Sequence, residues 1–416
     1  MYGDAERSVL IPDKSRADGN SDAIVVGNGP AGLTAAIVLA AGGLSTVLVG
    51  KRPARPDTRT TALFTGSINA LSTLGVWAQC EPQAAPMRTM RIVDDTGRLW
   101  RAPEVKFEAH EIDLDVFGYN IENRHLVAAL DLRAKDIGRL RIVEDDVVAV
   151  EPGDDAVTVS LKGGETLQAP LVIGADGRRS LCREAAGIGL DTRDYRQAAL
   201  TVSFKHTRPH HDISTEFHTP SGPFTLVPLS GNRSSLVWVL DPARADDYAA
   251  LDDATLSEEI ERAAHSILGK VTVEPGRGVF PLSVATAQRF GDNRIALIGE
   301  AAHVIPPIGA QGLNLGLRDA ATIGELALTA SRESRDIGGD DVLAAYETMR
   351  RADVGTRTLA IDLLNRSLLS DFLPVQGLRG LGLYILDQIG PLRRAVMREG
   401  IQPAAQQPRL MRGEAI

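Results

Sequence analysis

The feature that most constrains this chain is Gly27-Asn28-Gly29-Pro30-Ala31-Gly32, a G-x-G-x-x-G turn set between two apolar segments. Ala23-Ile24-Val25-Val26 precedes it and reads as a short buried strand. Leu33, Ala36, Ile37, Val38, Leu39 and Ala40 follow as a helix, which Gly42 and Gly43 end. Thr46-Val47-Leu48-Val49 then reads as a second buried strand. Strand, glycine turn, helix, strand is the opening unit of a dinucleotide fold. Each glycine has a physical role there. Gly27 permits the tight turn, Gly29 lets backbone approach a pyrophosphate, and Gly32 lets the helix pack closely on the strand. The helix start at Pro30 offers phosphates partial positive charge, with free N–H groups from Ala31 onward. The motif alone is weak evidence; its position between a strand and a helix gives it the required context.

One residue expected of such a unit is missing. The second strand usually ends in Asp or Glu, which accepts the ribose hydroxyls. Here Val49 is followed by Gly50, Lys51 and Arg52.

The rest of the chain alternates between strand and helix patterns. Arg141-Ile142-Val143, Val147 to Val150 and Ala156 to Leu161 read as strands. Leu171-Val172-Ile173-Gly174 reads as a buried strand returning to the first sheet. Between Leu200 and Leu240 the pattern suggests antiparallel strands at 201–204, 215–218 and 236–240, with turns at Ser221-Gly222-Pro223 and Ser230-Gly231-Asn232. The segment from Arg294 to Glu300 is strand-like, and from Gly312 onward the chain reads as helical. The expected class is therefore α/β: a Rossmann-like nucleotide domain (21–80, 120–190 and 281–350), an inserted antiparallel-sheet substrate domain (81–119 and 191–280) and a helical C-terminal region (351–416). Residues 1–20 mix charges, Pro and Gly, lack the apolar stretch of a secretory signal, and read as a flexible tail.

Two later motifs carry chemistry. Leu171 to Gly174 runs into Ala175-Asp176-Gly177, which by spacing alone is a plain turn. The stronger one begins at Arg294-Ile295-Ala296-Leu297-Ile298-Gly299-Glu300-Ala301-Ala302-His303 and continues through Pro306-Pro307 to Gln311-Gly312-Leu313-Asn314. A strand ends in Gly-Glu, a rigid loop follows, and Gly312-Leu313-Asn314 opens a helix whose N–H groups suit an electron-rich ring edge. His303 reads as a packed, hydrogen-bonded histidine rather than a catalyst.

Composition excludes some function classes. A formal net charge of −9 makes a nucleic-acid partner a poor fit. Two cysteines, Cys80 and Cys182, form neither a metal cluster nor a disulfide framework, which suits a reducing cytoplasm. No apolar run is long enough to span a bilayer.

The three motifs, in this order, resemble the single-component FAD-dependent aromatic hydroxylases, the superfamily of para-hydroxybenzoate hydroxylase. The resemblance spans roughly 23–328. Within that group, Asp57-Thr58-Arg59-Thr60-Thr61-Ala62-Leu63, Leu74-Gly75-Val76-Trp77 and Gly309-Ala310-Gln311-Gly312-Leu313-Asn314-Leu315-Gly316 are similar to the ubiquinone-biosynthesis hydroxylases. The resemblance implies FAD as cofactor and NADH or NADPH as co-substrate, with dioxygen supplying the atom added to a phenolic ring. It implies that Arg59 and Arg124 contact the FAD phosphate and ribityl region, and that Asp176 serves both FAD and NAD(P)H. It places Gly312, Leu313 and Asn314 at the isoalloxazine, and the Pro307 carbonyl near the reacting phenol. Arg52 joins the expected FAD contacts, together with Glu300 where the family usually has Asp. With Gly50 carrying no acid, two polar FAD contacts are altered, and weaker FAD retention is expected.

The substrate reading comes from the C-terminus. Residues 359–397 are rich in Leu and Ile, with Arg366, Arg379, Arg393, Arg394 and Arg398 interleaved. This composition suits a membrane surface that admits a polyprenyl phenol, and equally suits helices covering the core or a dimer interface. The resulting expectation is a cytoplasmic enzyme peripheral to the inner membrane, alone, as a homodimer, or in a biosynthetic complex. Two alternatives stand beside it: a hydroxylase of a soluble aromatic compound, and a non-catalytic flavoprotein subunit.

Overall fold

The computed structural model describes residues 21–52, 57–97, 103–369, 389–401 and 407–416. The tail at 1–20 and the middle of the leucine-rich C-terminal stretch, 370–388, lie outside these.

The strand Ala23–Val26 pairs in parallel with Thr46–Val49 on one side and Leu171–Gly174 on the other. Leu140–Val143 and Ile295–Leu297 extend this sheet in parallel, and Gly291–Asp292 closes one edge antiparallel. Its central strands are buried along their whole length. That burial on both faces explains their unbroken apolar runs. Helix Pro30–Ala41 covers one face and is buried over most of its surface. It packs against the long helix Gln311–Arg332. Small residues set that distance: a Cβ on Gly42 would lie 2.3 Å from Leu328, and one on Gly324 2.3 Å from Val38.

The second large sheet is built from 89–94, 105–108 and 190–287, and the short strand His303–Val304 joins it. Its pairings are antiparallel except one: Ile213–Thr219 lies parallel to Thr89–Asp94. The parallel pair arises because strand Thr89–Asp94 reaches the sheet from another part of the chain, not through a hairpin. Strand Leu190–His206 is also longer than its apolar half, since Leu190–Asp194 pairs with the far end of Gly278–Ala287. The outer face of this sheet packs Phe204, Phe217, Phe224 and Trp238 against the helices Pro242–Ala250 and Asp253–Ala263. Its other face turns to the nucleotide sheet.

Both cysteines are buried and free. Burial pushes the Cys80 thiol up to about 12 and raises Cys182 as well, so neither is a thiolate at neutral pH.

Candidate functional site

A cavity of about 1040 Å³ runs between the two sheets. One wall is the glycine turn. Gly27 holds φ +118°, and its N–H donates to Val49 O at 2.7 Å. Gly29 caps the helix with extended backbone, and no side chain caps the N-terminus. The first helical N–H groups are therefore left for a ligand. A Cβ on Gly29 would meet no protein atom within 4 Å, because this glycine faces the cavity.

Around that wall stand arginines, each held by a carboxylate. Arg52 pairs with Asp131, Arg59 with Asp57, Arg124 with Glu122 and Arg178 with Glu300. All four arginines line the cavity. The Arg59 guanidinium is the most constrained. Asp57 accepts from its backbone N–H at 3.0 Å and from Nε at 2.9 Å, Asn123 Nδ2 donates to Asp57 at 2.8 Å, and the Phe280 ring lies 5.2 Å from the guanidinium. Burial raises the Asp57 pKa, but the hydrogen bonds from Arg59 and Asn123 win and hold it below the ordinary carboxylate range. A preformed cluster of this kind suits a pyrophosphate.

Of the residues singled out in the sequence, Gly29, Pro30, Ala31, Gly32, Arg52, Arg59, Arg124, Glu300, Pro307, Gly312 and Leu313 line this one cavity. Gly27 sits just behind it as the turn residue. Asp176 is placed differently: its carboxylate accepts from Ser180 Oγ at 2.5 Å and from the Cys182 N–H at 3.1 Å. It orders the turn whose Ala175 and Gly177 form cavity wall. Asn314 also works from behind. Its Oδ1 accepts from the Phe64 N–H (2.9 Å) and Ser67 Oγ (2.7 Å), and its Nδ2 donates to Ala62 O (2.8 Å) and Ala310 O (2.7 Å). One buried amide thus ties strand Thr60–Phe64 to the loop before the long helix.

A consequence follows for Asn314→Ala. It strands two donors and two acceptors in the interior, each costing about 1–3 kcal/mol. We expect a lowered melting temperature and loss of bound flavin on gel filtration, read as the ratio of flavin to protein absorbance. Full flavin occupancy in this variant would show that the tie is dispensable.

His303 is buried and packed, as its sequence context suggests. Its Nε2 lies 2.6 Å from Asp319 Oδ2, which also accepts from the Gly299 N–H at 2.9 Å. Arg350 Nε donates to the other Asp319 oxygen at 2.6 Å. A fully buried ionic cluster therefore fixes the start of the Gly299-Glu300 segment.

Some site residues were not read from the sequence. Asp57 stood two places before Arg59 inside the quoted motif, a spacing that could have marked it as the arginine's partner. Phe280 and Asp131 carried no local signal.

Comparison with known proteins gives the family and the fold. The family model described as "FAD binding domain" matches residues 20–360. Ubiquinone hydroxylase UbiL of Rhodospirillum rubrum is 35% identical, covering 98% of this chain and 96% of that protein. The 3-demethoxyubiquinol 3-hydroxylase of Escherichia coli is 33% identical, covering 90% of this chain and 96% of its own length. Among solved structures, p-nitrophenol 4-monooxygenase PnpA from Pseudomonas putida DLL-E4 shares the fold at a TM-score of 0.75 and 18% identity, covering 94% of this chain and all of that one.

Proposed function

The chain belongs to the FAD binding domain family and to its FAD-dependent hydroxylases, and from that premise we propose that it hydroxylates the phenolic ring of a polyprenylated ubiquinone precursor, using NAD(P)H and dioxygen. The observation that carries the reading is the shape of the cavity between the two sheets. The same space that meets Gly29 and Gly312 continues into an apolar chamber lined by Met87, Phe107, Phe117, Val227, Met397 and Ile401. We assign the FAD to segments 21–80, 120–190 and 281–350, and the ring to the face supplied by 81–119 and 191–280.

The residues present fit FAD: a cradle where a Cβ would intrude, an uncapped helix start and a cluster of held arginines. A bound FAD would supply the redox chemistry by which NAD(P)H reduces dioxygen, one oxygen atom going to the ring and the other to water. The chain supplies position and field. The glycine turn and Arg59 and Arg124 would hold the pyrophosphate. Glu300 would accept from a ribityl hydroxyl, and Asp176 would act through the turn it orders. The backbone of Gly312 and Leu313 would bind the ring edge of the flavin, where the start of the long helix favours negative charge. The Pro307 carbonyl would face the phenol. The apolar chamber excludes water and seats the prenyl tail.

We place the enzyme at a membrane surface. The helix Gly390–Ile401 buries Met397 and Ile401 against the chamber and is tied there by Arg393 to Glu111 at 2.6 Å. Its other side exposes Leu392 and Val396, with Ile389 just before it, and Val396 also lines the cavity. The spacing i, i+3, i+7 makes one stripe leading to the cavity. No helix among the described residues is long and apolar enough to cross a membrane. The protein should therefore sediment with anionic liposomes, and Leu392→Ser with Val396→Ser should leave it in the supernatant. Equal sedimentation of both proteins, or none by the wild type, contradicts the surface reading.

The functional proposal is tested by deletion in the host with mass analysis of quinone precursors. An accumulated polyprenyl phenol lacking one hydroxyl supports it. An unchanged quinone pool would falsify it and favour a soluble aromatic substrate.

A further inference from the structure

We propose that Asp131 is the carboxylate that receives the adenosine ribose hydroxyls of FAD, in place of the acid that dinucleotide folds carry at the end of their second strand. The inference rests on FAD occupying the cavity as described above.

The usual position is closed by geometry. Strand Thr46–Val49 runs into Gly50, which holds φ +158°. A Cβ there would lie 2.9 Å from the Asn28 nitrogen and 3.1 Å from Asn28 Cβ. Asn28 itself leans on this residue, its Nδ2 donating to Gly50 O at 3.2 Å. An acidic side chain cannot stand at Gly50 without moving the glycine turn.

The acceptor enters instead from a different element. Helix Asn123–Lys135 presents Arg124, Val127, Ala128 and Asp131 to the cavity. These positions are i, i+3, i+4 and i+7, one face of a helix. That face passes from the expected pyrophosphate contact at Arg124 to the corner shared by Asn28, Gly29 and Arg52. Arg52 fixes the corner: it forms an ion pair with Asp131 Oδ1 and donates to Asn28 Oδ1 at 3.3 Å. A carboxylate offers roughly four acceptor positions over two oxygens, so one guanidinium does not exhaust it. A vicinal diol donates two hydrogen bonds and matches the remainder. The order Gly50, Asn28, Arg52, Asp131 thus rebuilds from side chains what the second strand normally supplies directly.

The test is a titration of apoprotein with FAD, with FMN and with FAD whose adenosine lacks the 2′ and 3′ hydroxyls, followed by flavin fluorescence. Wild type should bind FAD at least about tenfold more tightly than the dideoxy analogue, a difference of about 1.4 kcal/mol. Asp131→Ala should lose that discrimination while its affinity for FMN, which has no adenosine, stays unchanged. Asp131→Asn, which retains one acceptor oxygen, should fall between. Equal losses for all three flavins would make Asp131 a structural partner of Arg52 and overturn the proposal, as would discrimination that survives in Asp131→Ala. Failure of wild type to bind any of them would instead overturn the FAD reading itself.

Discussion

Gly29→Ala is expected to weaken FAD binding strongly yet leave the apoprotein as stable as wild type, whereas Gly32→Ala should damage both. The two glycines sit three residues apart in one turn, but their surroundings differ. A methyl on Gly29 points into open cavity, where it meets no protein atom within 4 Å, and its backbone is extended, so alanine adopts it without strain. The space it takes is the space for pyrophosphate, and an affinity loss on the order of 100-fold, or about 2.7 kcal/mol, is expected. A methyl on Gly32 would lie 1.9 Å from the Gly27 carbonyl oxygen and 3.1 Å from Ala175 Cβ. The start of the helix must then move away from the turn at Gly27 and from Ala175. Overpacking of this kind costs about 1–3 kcal/mol or more, visible as a lower melting temperature of the apoprotein. Calorimetry and flavin titration on both variants separate the two effects. A destabilised Gly29→Ala apoprotein would show that the turn is structural rather than a phosphate cradle.

The second large effect lies behind the flavin wall. Arg350 is fully buried, with Nε on Asp319 and Nη1 on Asp353 at 2.7 Å. Arg318 Nη1 and Arg357 Nε reach Asp353 at 2.7 and 2.9 Å. Arg350→Met leaves two carboxylates with less compensation in the interior, which costs about 3–5 kcal/mol. Adding Asp319→Asn to that variant should recover part of the loss, because it removes one of the stranded charges. Denaturant unfolding of the single and double variants measures both terms; a purely additive loss contradicts the coupling. The same cluster fixes a pH dependence. Burial raises the Asp353 pKa, but Arg318, Arg350 and Arg357 together drive it far below the ordinary range, and His303 and Arg350 hold Asp319 low as well. Depressed carboxyls stabilise the fold above their unfolded pKa of about 3.9 and lose that contribution as pH falls through the folded value. The melting temperature should therefore hold from neutral pH to about 5 and drop below about 4, with a shallower drop in Asp353→Asn.

Much of this site is legible in the sequence. Strands buried on both faces announce themselves as short apolar runs, so 23–26, 46–49 and 171–174 were found where they lie. The glycine turn and the start of the long helix were legible because their chemistry is backbone chemistry, and backbone needs leave glycines and prolines in the sequence. Side chains that act across the fold leave no such trace. The strand Gly278–Ala287 mixes polar and apolar residues because one stretch faces the cavity, so its periodicity is blurred. Phe280 meets Arg59 only through the pairing of sheets. Asn314 is expected at the flavin through its backbone, while its side-chain amide binds Ala62, Phe64, Ser67 and Ala310, a tie that only packing reveals. The missing acid at Gly50 was read correctly as an absence. The replacement proposed above, Asp131, stands on a helix more than seventy residues further along, where no local pattern marks it.

The proposed reaction inserts an oxygen atom from dioxygen into a prenylated phenol. The most direct measurement incubates the FAD-loaded protein with NAD(P)H, a polyprenyl phenol and oxygen-18 dioxygen, and weighs the product. One labelled oxygen on the ring, with NAD(P)H consumed in step, is the expected result. Flavin that NAD(P)H does not bleach, or reduced flavin that consumes oxygen without labelling the phenol, would contradict the claim and leave a flavoprotein that does not act on this substrate.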